Sequence, residues 1–218
     1  VLDYAKEHSV FITEAIWTRY MPFSRTIVEV VRSGAIGRPT LVTANLGYQI
    51  SGVERIQRLD LAGGALLDLS VYPINFASMI LGDKVQNMDA TCIMTPSGVD
   101  GMDSITLCYE EEKMAVLCST IYSKTARKGI VYGDKGYLVV DNINNPQRLQ
   151  GMDVDHREIA VHQAPAQISG YEYEWLASIA AIRAGRIECP EMPHKETLRL
   201  MQLFDDVRAR WGIRYPFD

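Results

Sequence analysis

The sequence predicts an α+β fold: a large open, mainly antiparallel sheet with its helices on one face, preceded by a short βα remnant. Three observations carry that expectation. From Asn87 to His162 the apolar period is 2 rather than 3.6, over seven short segments. The links Glu110-Glu111-Glu112-Lys113 and Gly133-Asp134-Lys135-Gly136 have hairpin length, and strands joined so tightly run antiparallel. Pro22–Ser33, Ala65–Leu81, Tyr171–Ala184 and Lys195–Trp211 have helical length, and each is closed by a glycine.

Taken in order, Val1–His8 reads as the tail of an amphipathic helix. The apolar run Val10–Ile12 follows as a short buried strand. Such a strand needs neighbours, so further sequence is expected upstream of Val1. In Pro22–Ser33 the residues Phe23, Ile27, Val30 and Val31 recur at helical spacing, with Pro22 suited to a first turn. A Gly37-Arg38-Pro39 turn leads to a strand over Thr40–Gln49. Ser51–Leu61 is polar and irregular, as a surface loop would be. Ala65–Leu81 is apolar almost all round, which marks a buried helix, and Gly63-Gly64 allows close approach to its start. Strands follow near Asn87–Thr95, Asp103–Tyr109, Met114–Tyr122, Gly129–Tyr132, Tyr137–Asp141, Arg148–Met152 and Glu158–His162. Pro190 and Pro193 separate the last two helices. With helices on one face, the other sheet face is wet or paired; the two-sided apolarity of Met114–Leu117 favours a second subunit.

Composition narrows the function classes. The chain has 218 residues, enough for one large domain or two small ones. Twenty-two Lys and Arg against 27 Asp and Glu leave a net charge of −5, and no basic run compensates, which argues against nucleic acid. Apolar runs such as Ala65–Leu67 and Met79–Leu81 are too short to cross a bilayer. Cys92, Cys108, Cys118 and Cys189 lack metal spacing and read as buried free thiols of a reducing compartment. With no signal-peptide pattern at Val1, a cytoplasmic location is expected. His8, His156, His162 and His194 never fall four apart, so no metal site is expected.

Chemistry concentrates in two stretches. Asp68 and Tyr72 lie four apart on an otherwise apolar helix, where an unpaired carboxylate is costly. A phenol can exchange a proton with a carbonyl–alcohol pair, but its ordinary pKa is about 10. A carboxylate neighbour raises it further, so work near neutrality calls for an adjacent cation, most simply a lysine. Lys84 lies beyond the helix end, and no other lysine is evidently placed. From spacing alone the commoner reading is a structural role, with Asp68 capping the first turn and Tyr72 in the core.

The second stretch is Glu14–Pro22, at the exit of the first expected strand, where open α/β sheets bind ligands. Trp17 can stack on a planar ring, and Arg19 can hold a phosphate or carboxylate. The alternative is a domain junction in which Trp17 packs and Arg19 pairs with Glu14. Arg55 and Arg58 precede Gly63 and could reach an anionic substrate, or stand as solvated loop cations.

Glu14-Ala-Ile-Trp-Thr-Arg-Tyr-Met-Pro22, Ala62-Gly-Gly-Ala-Leu-Leu-Asp-Leu-Ser-Val-Tyr-Pro73, Gly133-Asp-Lys-Gly136 and the Gly185/Pro190/Pro193 tail together resemble the Gfo/Idh/MocA oxidoreductases. The likeness is greatest to their dimeric dihydrodiol dehydrogenase branch and runs from Val1 to Phe217. It implies residues 1–17 as the remnant of a dinucleotide-binding Rossmann domain and residues 18–218 as a C-terminal substrate-binding and dimerisation domain. It implies a dehydrogenase of sugars, diols or polyols that uses NADP or NAD and pairs its sheets in a homodimer. By the same resemblance Tyr72 is the acid/base, Asp68 orients substrate or tyrosine, Trp17 and Arg19 approach the cofactor, and Arg58 faces the substrate.

Two family features are absent from these residues: the glycine-rich fingerprint and a Glu-Lys-Pro lysine, both expected upstream. Ala62 and Ser70 stand where many members have glycine. The expectation is therefore the C-terminal portion of a nicotinamide-dependent oxidoreductase, inactive by itself. The rival expectation is a non-catalytic module for dimerisation or for a sugar-like ligand.

Overall fold

The computed structural model describes all 218 residues, Val1–Asp218. After α1 (Leu2–Glu7) and a 3-10 turn at Trp17–Arg19, α2 runs over Pro22–Arg32. Pro22 occupies its first turn, and Phe23, Ile27 and Val31 form the buried stripe that the four-residue spacing promised. Next come β1 (Pro39–Gly47), 3-10 turns at Glu54–Gln57 and Leu59–Leu61, a π-turn at Leu66–Ser70 and α3 (Val71–Leu81).

The strands follow as β2 (Val85–Met94), β3 (Asp100–Tyr109), β4 (Lys113–Thr120), β5 (Gly129–Gly133), β6 (Gly136–Val140), β7 (Arg148–Asp153) and β8 (Glu158–Gln163). The chain closes with α4 (Glu172–Arg183) and α5 (His194–Trp211). The strands form one open sheet in the order β2-β3-β4-β1-β5-β6-β7-β8. Every pairing is antiparallel except β1 with β4, where Val42 lies opposite Ala115 and Ala44 opposite Leu117. The α+β expectation therefore holds, with one parallel pair at the centre. That pair was invisible to hairpin arithmetic because β1 is separated from β4 by a helical crossover and two strands.

Alternation along the strands sorts the two faces. Val42, Ala44 and Leu46 of β1, Ile105 and Leu107 of β3, and Ala115 and Leu117 of β4 point to one side and are buried. α3 lies across β1 and β4 there, and α5 reaches β2. The opposite face is bare: Ile93, Met102, Met114 and Val116 are all exposed.

Three expectations need correction. Val10–Ile12 forms no strand: Ile12 N–H instead donates to the Ile187 carbonyl at 3.0 Å, and its own carbonyl meets the His194 ring at 2.9 Å. No neighbouring strand exists among these residues to pair with it. The helix expected over Ala65–Leu81 is a π-turn followed by α3. The thiols are free, as expected, but only Cys189 is buried; Cys118 is exposed on the bare face. One run, Leu59–Leu81, does reach the length and apolarity of a membrane span. Burial of 72% of its most apolar window inside this fold accounts for that composition.

Candidate active site

Tyr72 stands where the π-turn passes into α3, with Asp68 one turn before it in the π-turn. π-turns are rare and recur at functional sites because the extra residue re-aims side chains. Tyr72 is half-buried, and burial pushes its phenol up to about 12. The neighbouring Trp17 side chain opposes that rise, while Tyr171, Tyr48 and Asp68 add to it. The phenol is thus protonated at neutral pH and ready to donate.

Asp68 does not cap the helix. Its Oδ1 pairs with Arg55, while Oδ2 is buried with no hydrogen-bond partner. The turn before it is held instead by Asp100, whose Oδ2 accepts the Leu66 N–H at 2.6 Å. Arg55 is therefore the loop cation that reaches the pair. Arg58 is turned aside: its guanidinium is engaged by Glu54 and Asp60 on the exposed surface of the same loop.

Trp17 is buried and stacks on Tyr171, ring centroids 4.3 Å apart at 25°. The close approach depends on Gly170, where φ is +97° and a Cβ would lie 2.8 Å from the Trp17 ring. Arg19 sits behind this wall rather than in it. Its guanidinium pairs with Glu196, donates to Asn75 Oδ1 and reaches the Glu191 carbonyl, and Arg199 and Ser78 complete the network. The network locks the Trp17–Arg19 turn to α3 and α5. Glu14, the partner considered from sequence, takes no part in it: the ion pair of Arg19 is with Glu196.

Spacing gave no sign of a third group. Tyr48, just past β1, accepts from Asn144 Nδ2 at 3.0 Å and from Arg127 Nη1 at 3.3 Å, with the guanidinium 5.5 Å from its ring. Arg127 Nε and Asn144 Oδ1 are buried without partners. These residues are 79 and 96 positions from Tyr48, so only the sheet order unites them. Together the groups offer a protonated phenol, an unpartnered carboxylate oxygen, an aromatic wall and unused polar atoms.

The family model described as the GFO/IDH/MocA C-terminal domain matches residues 24–139. This chain belongs to that family. Trans-1,2-dihydrobenzene-1,2-diol dehydrogenase of Danio rerio is 29% identical over 224 residues, covering 100% of this chain and 67% of that protein. The Mus musculus enzyme of the same name is 28% identical over 225 residues, covering 98% and 66%. Among solved structures, aldose-aldose oxidoreductase from Caulobacter crescentus, complexed with glycerol, superposes with a TM-score of 0.84 at 19% identity, covering 97% of this chain and 65% of that one. KijD10, a 3-ketoreductase from Actinomadura kijaniata in complex with NADP and TDP-benzene, gives 0.83 at 21%, covering 95% and 65%. These relatives of the Gfo/Idh/MocA chain are oxidoreductases, and the chain spans about two thirds of their length. The structural likenesses, at such low identity, establish the shared fold.

Proposed function

We propose that this Gfo/Idh/MocA chain is the substrate side of an NAD(P)-dependent oxidoreductase acting on a sugar, diol or polyol. The supporting observation is Tyr72 itself: a protonated, half-buried phenol between the Trp17–Tyr171 wall and the buried, unpartnered oxygen of Asp68. In a mostly apolar helix, two polar residues kept at this spacing suit proton exchange with a substrate hydroxyl. Tyr72 donates its proton to a carbonyl oxygen in reduction and receives it back in oxidation. Asp68, its charge half-balanced by exposed Arg55, accepts a neighbouring substrate hydroxyl through Oδ2. Tyr48, Arg127 and Asn144 offer polar atoms for the rest of a hydroxylated substrate.

The fit to a nicotinamide dinucleotide is one-sided. The aromatic wall beside Tyr72 suits its reacting ring, whereas no glycine-rich turn among these residues cradles its phosphates. When bound, that group supplies or accepts the hydride at the carbinol carbon. On this reading the phosphates are held by a domain upstream, and α4 is where it docks: Trp175, Leu176, Ile179 and Ile182 form an exposed apolar stripe. The bare sheet face pairs with a second copy.

The test is Tyr72→Phe in the full-length protein, assayed with NADP and with NAD against trans-1,2-dihydrobenzene-1,2-diol and a panel of aldoses. A rate loss of roughly 10²–10⁴-fold is expected for removal of a general acid–base group. Undiminished turnover by the variant would sink the assignment. Unchanged behaviour of both Tyr72→Phe and Asp68→Asn in every assay of the parent protein would favour a binding module.

A further inference from the structure

Beneath the π-turn, two carboxylates are buried in the sheet without an ion-pair partner. Asp100 and Asp103 begin β3, on the face that carries the helices, and are 0% and 3% exposed. They grip the π-turn at its two ends. Asp100 Oδ2 accepts the backbone N–H of Leu66, its first residue, at 2.6 Å. Asp103 Oδ2 accepts from the hydroxyl of Ser70, its last residue. Asp68 lies between those two points and Tyr72 lies two residues past the second. The approach is close enough to dictate sequence: at Gly64, with φ +116°, a Cβ would stand 2.3 Å from Asp100 Oδ1.

Burial of two carboxylates is expensive, and a valine or leucine pair would serve the core better. Their cost is understandable if they do something that apolar side chains cannot. A π-turn needs such help, since its geometry is less favourable than the α-helix that Leu66–Leu81 would otherwise adopt. Hydrogen bonds at fixed points of the sheet can hold both ends in place, and apolar packing, being non-directional, cannot.

We propose that Asp100 and Asp103 are positioning residues: a two-point clamp from the sheet that keeps residues 66–70 in the π-turn and thereby sets the directions of Asp68 and Tyr72. The inference rests on the reading of Tyr72 as the proton-exchanging group, but the clamp is a property of the chain and is measurable without turnover.

The experiment follows the three indole N–H resonances in the ¹⁵N spectrum of the chain, assigned through Trp17→Phe, together with backbone hydrogen exchange of residues 63–72. Neither aspartate is among the groups that Trp17 stacks on, so a shift of its signal reports movement of the aromatic cluster that Trp17 shares with Tyr171 and Tyr72. Asp100→Ala is expected to shift the Trp17 indole, leave Trp175 and Trp211 in place, and speed exchange at residues 63–72 at least tenfold over β3 and β4. Asp100→Asn, which keeps an oxygen for Leu66, is expected to restore both. Ser70→Ala, which frees the second point without touching the core carboxylates, is expected to act like a weaker Asp100→Ala and serves if the latter fails to fold. An unmoved Trp17 signal in the Asp100 and Ser70 variants, or exchange rising equally across β3 and β4, overturns the clamp. Loss of the dehydrogenase reading through an active Tyr72→Phe enzyme leaves these signals as they are, so the two ideas fail separately.

Discussion

Arg55 pairs with one oxygen of Asp68 while the other oxygen of that carboxylate is buried and unpartnered. A half-exposed loop arginine thus supplies the counter-charge for a residue on the π-turn and leaves one buried acceptor free. The two oxygens of one side chain are therefore unlike, Oδ1 charge-balanced by Arg55 and Oδ2 left without a partner.

Removing that counter-charge has a definable effect. In the full-length protein, Arg55→Gln leaves the Asp68 charge beside Tyr72 without its partner. A rise in KM and a fall in kcat of about tenfold together are expected, since hydrogen bonds to charged groups are worth roughly 1.5–3 kcal/mol. Steady-state kinetics decide it: parameters unchanged from the parent would show that Arg55 is an ordinary surface cation.

The buried carboxylates make stability depend on pH. Burial is the main force raising both Asp100 and Asp103 to about 7; backbone N–H groups of Leu66 and Ala65 partly relieve Asp100, and Ser70 partly relieves Asp103. Asp68 adds to the rise at Asp100, and Asp100 adds to that at Asp103. Tyr215 and Cys92 also lie near this pair, and Cys118 feels it from the other face of the sheet. A carboxyl whose folded value exceeds its unfolded value of about 4 holds its proton better when folded. Its contribution is therefore complete below pH 4, shrinks as pH rises to about 7, and changes no further. Urea unfolding at pH 5, 6, 7 and 8 should show stability declining over the first three points, with a flatter profile in Asp100→Asn/Asp103→Asn.

The Arg19 network predicts the opposite dependence at acid pH. Burial pushes Glu196 up, but Arg199, Arg19 and Ser78 together bring it down to about 2. Its contribution is present above the ordinary carboxylate value and is lost as pH falls toward 2. Glu196→Gln leaves two half-buried guanidinium groups short of their anion, a loss of about 3 kcal/mol. Denaturant midpoints for wild type and variant at pH 7 check it; a difference under ~0.5 kcal/mol would place this pair among surface salt bridges.

For the bare sheet face, a second copy is the expected cover. Ile93, Met102, Met114 and Val116 are all exposed on this face, and exposed apolar side chains gathered on one face are a feature of protein interfaces. Val116→Glu with Met102→Glu places charges in its middle and should convert a dimer into a monomer in sedimentation velocity at micromolar concentration. A wild-type chain that sediments as a monomer at every concentration would refute the pairing.

Strand and helix positions were legible because each is a local matter of period and punctuation. Helix ends at Gly34, Gly82, Gly185 and Gly212 and the hairpins around Glu111 and Lys135 fall where the residues place them. Asp68 and Tyr72 stood out for a related reason: polar residues on an apolar helix contradict their surroundings. Val10–Ile12 misled because apolar content without a pairing edge does not make a strand. Asp103 was hidden at the start of a strand read only for its alternation, and Asp100 lay just before that strand, which the structure extends to include it.

By itself, then, the sequence determined the fold class, most of the strand and helix positions and the family, and it singled out Asp68 and Tyr72, all of them encoded by neighbours in the chain. Only the tertiary structure decided that β1 lies between β4 and β5 and runs parallel to β4, that Arg55 rather than Arg58 meets Asp68, and that Arg19 turns to Glu196. It alone brought Tyr48, Arg127 and Asn144 together and set Asp100 beneath the π-turn. Those choices join side chains from 13 to 177 residues apart, whose contacts form only when the chain packs and buried polar groups must find partners.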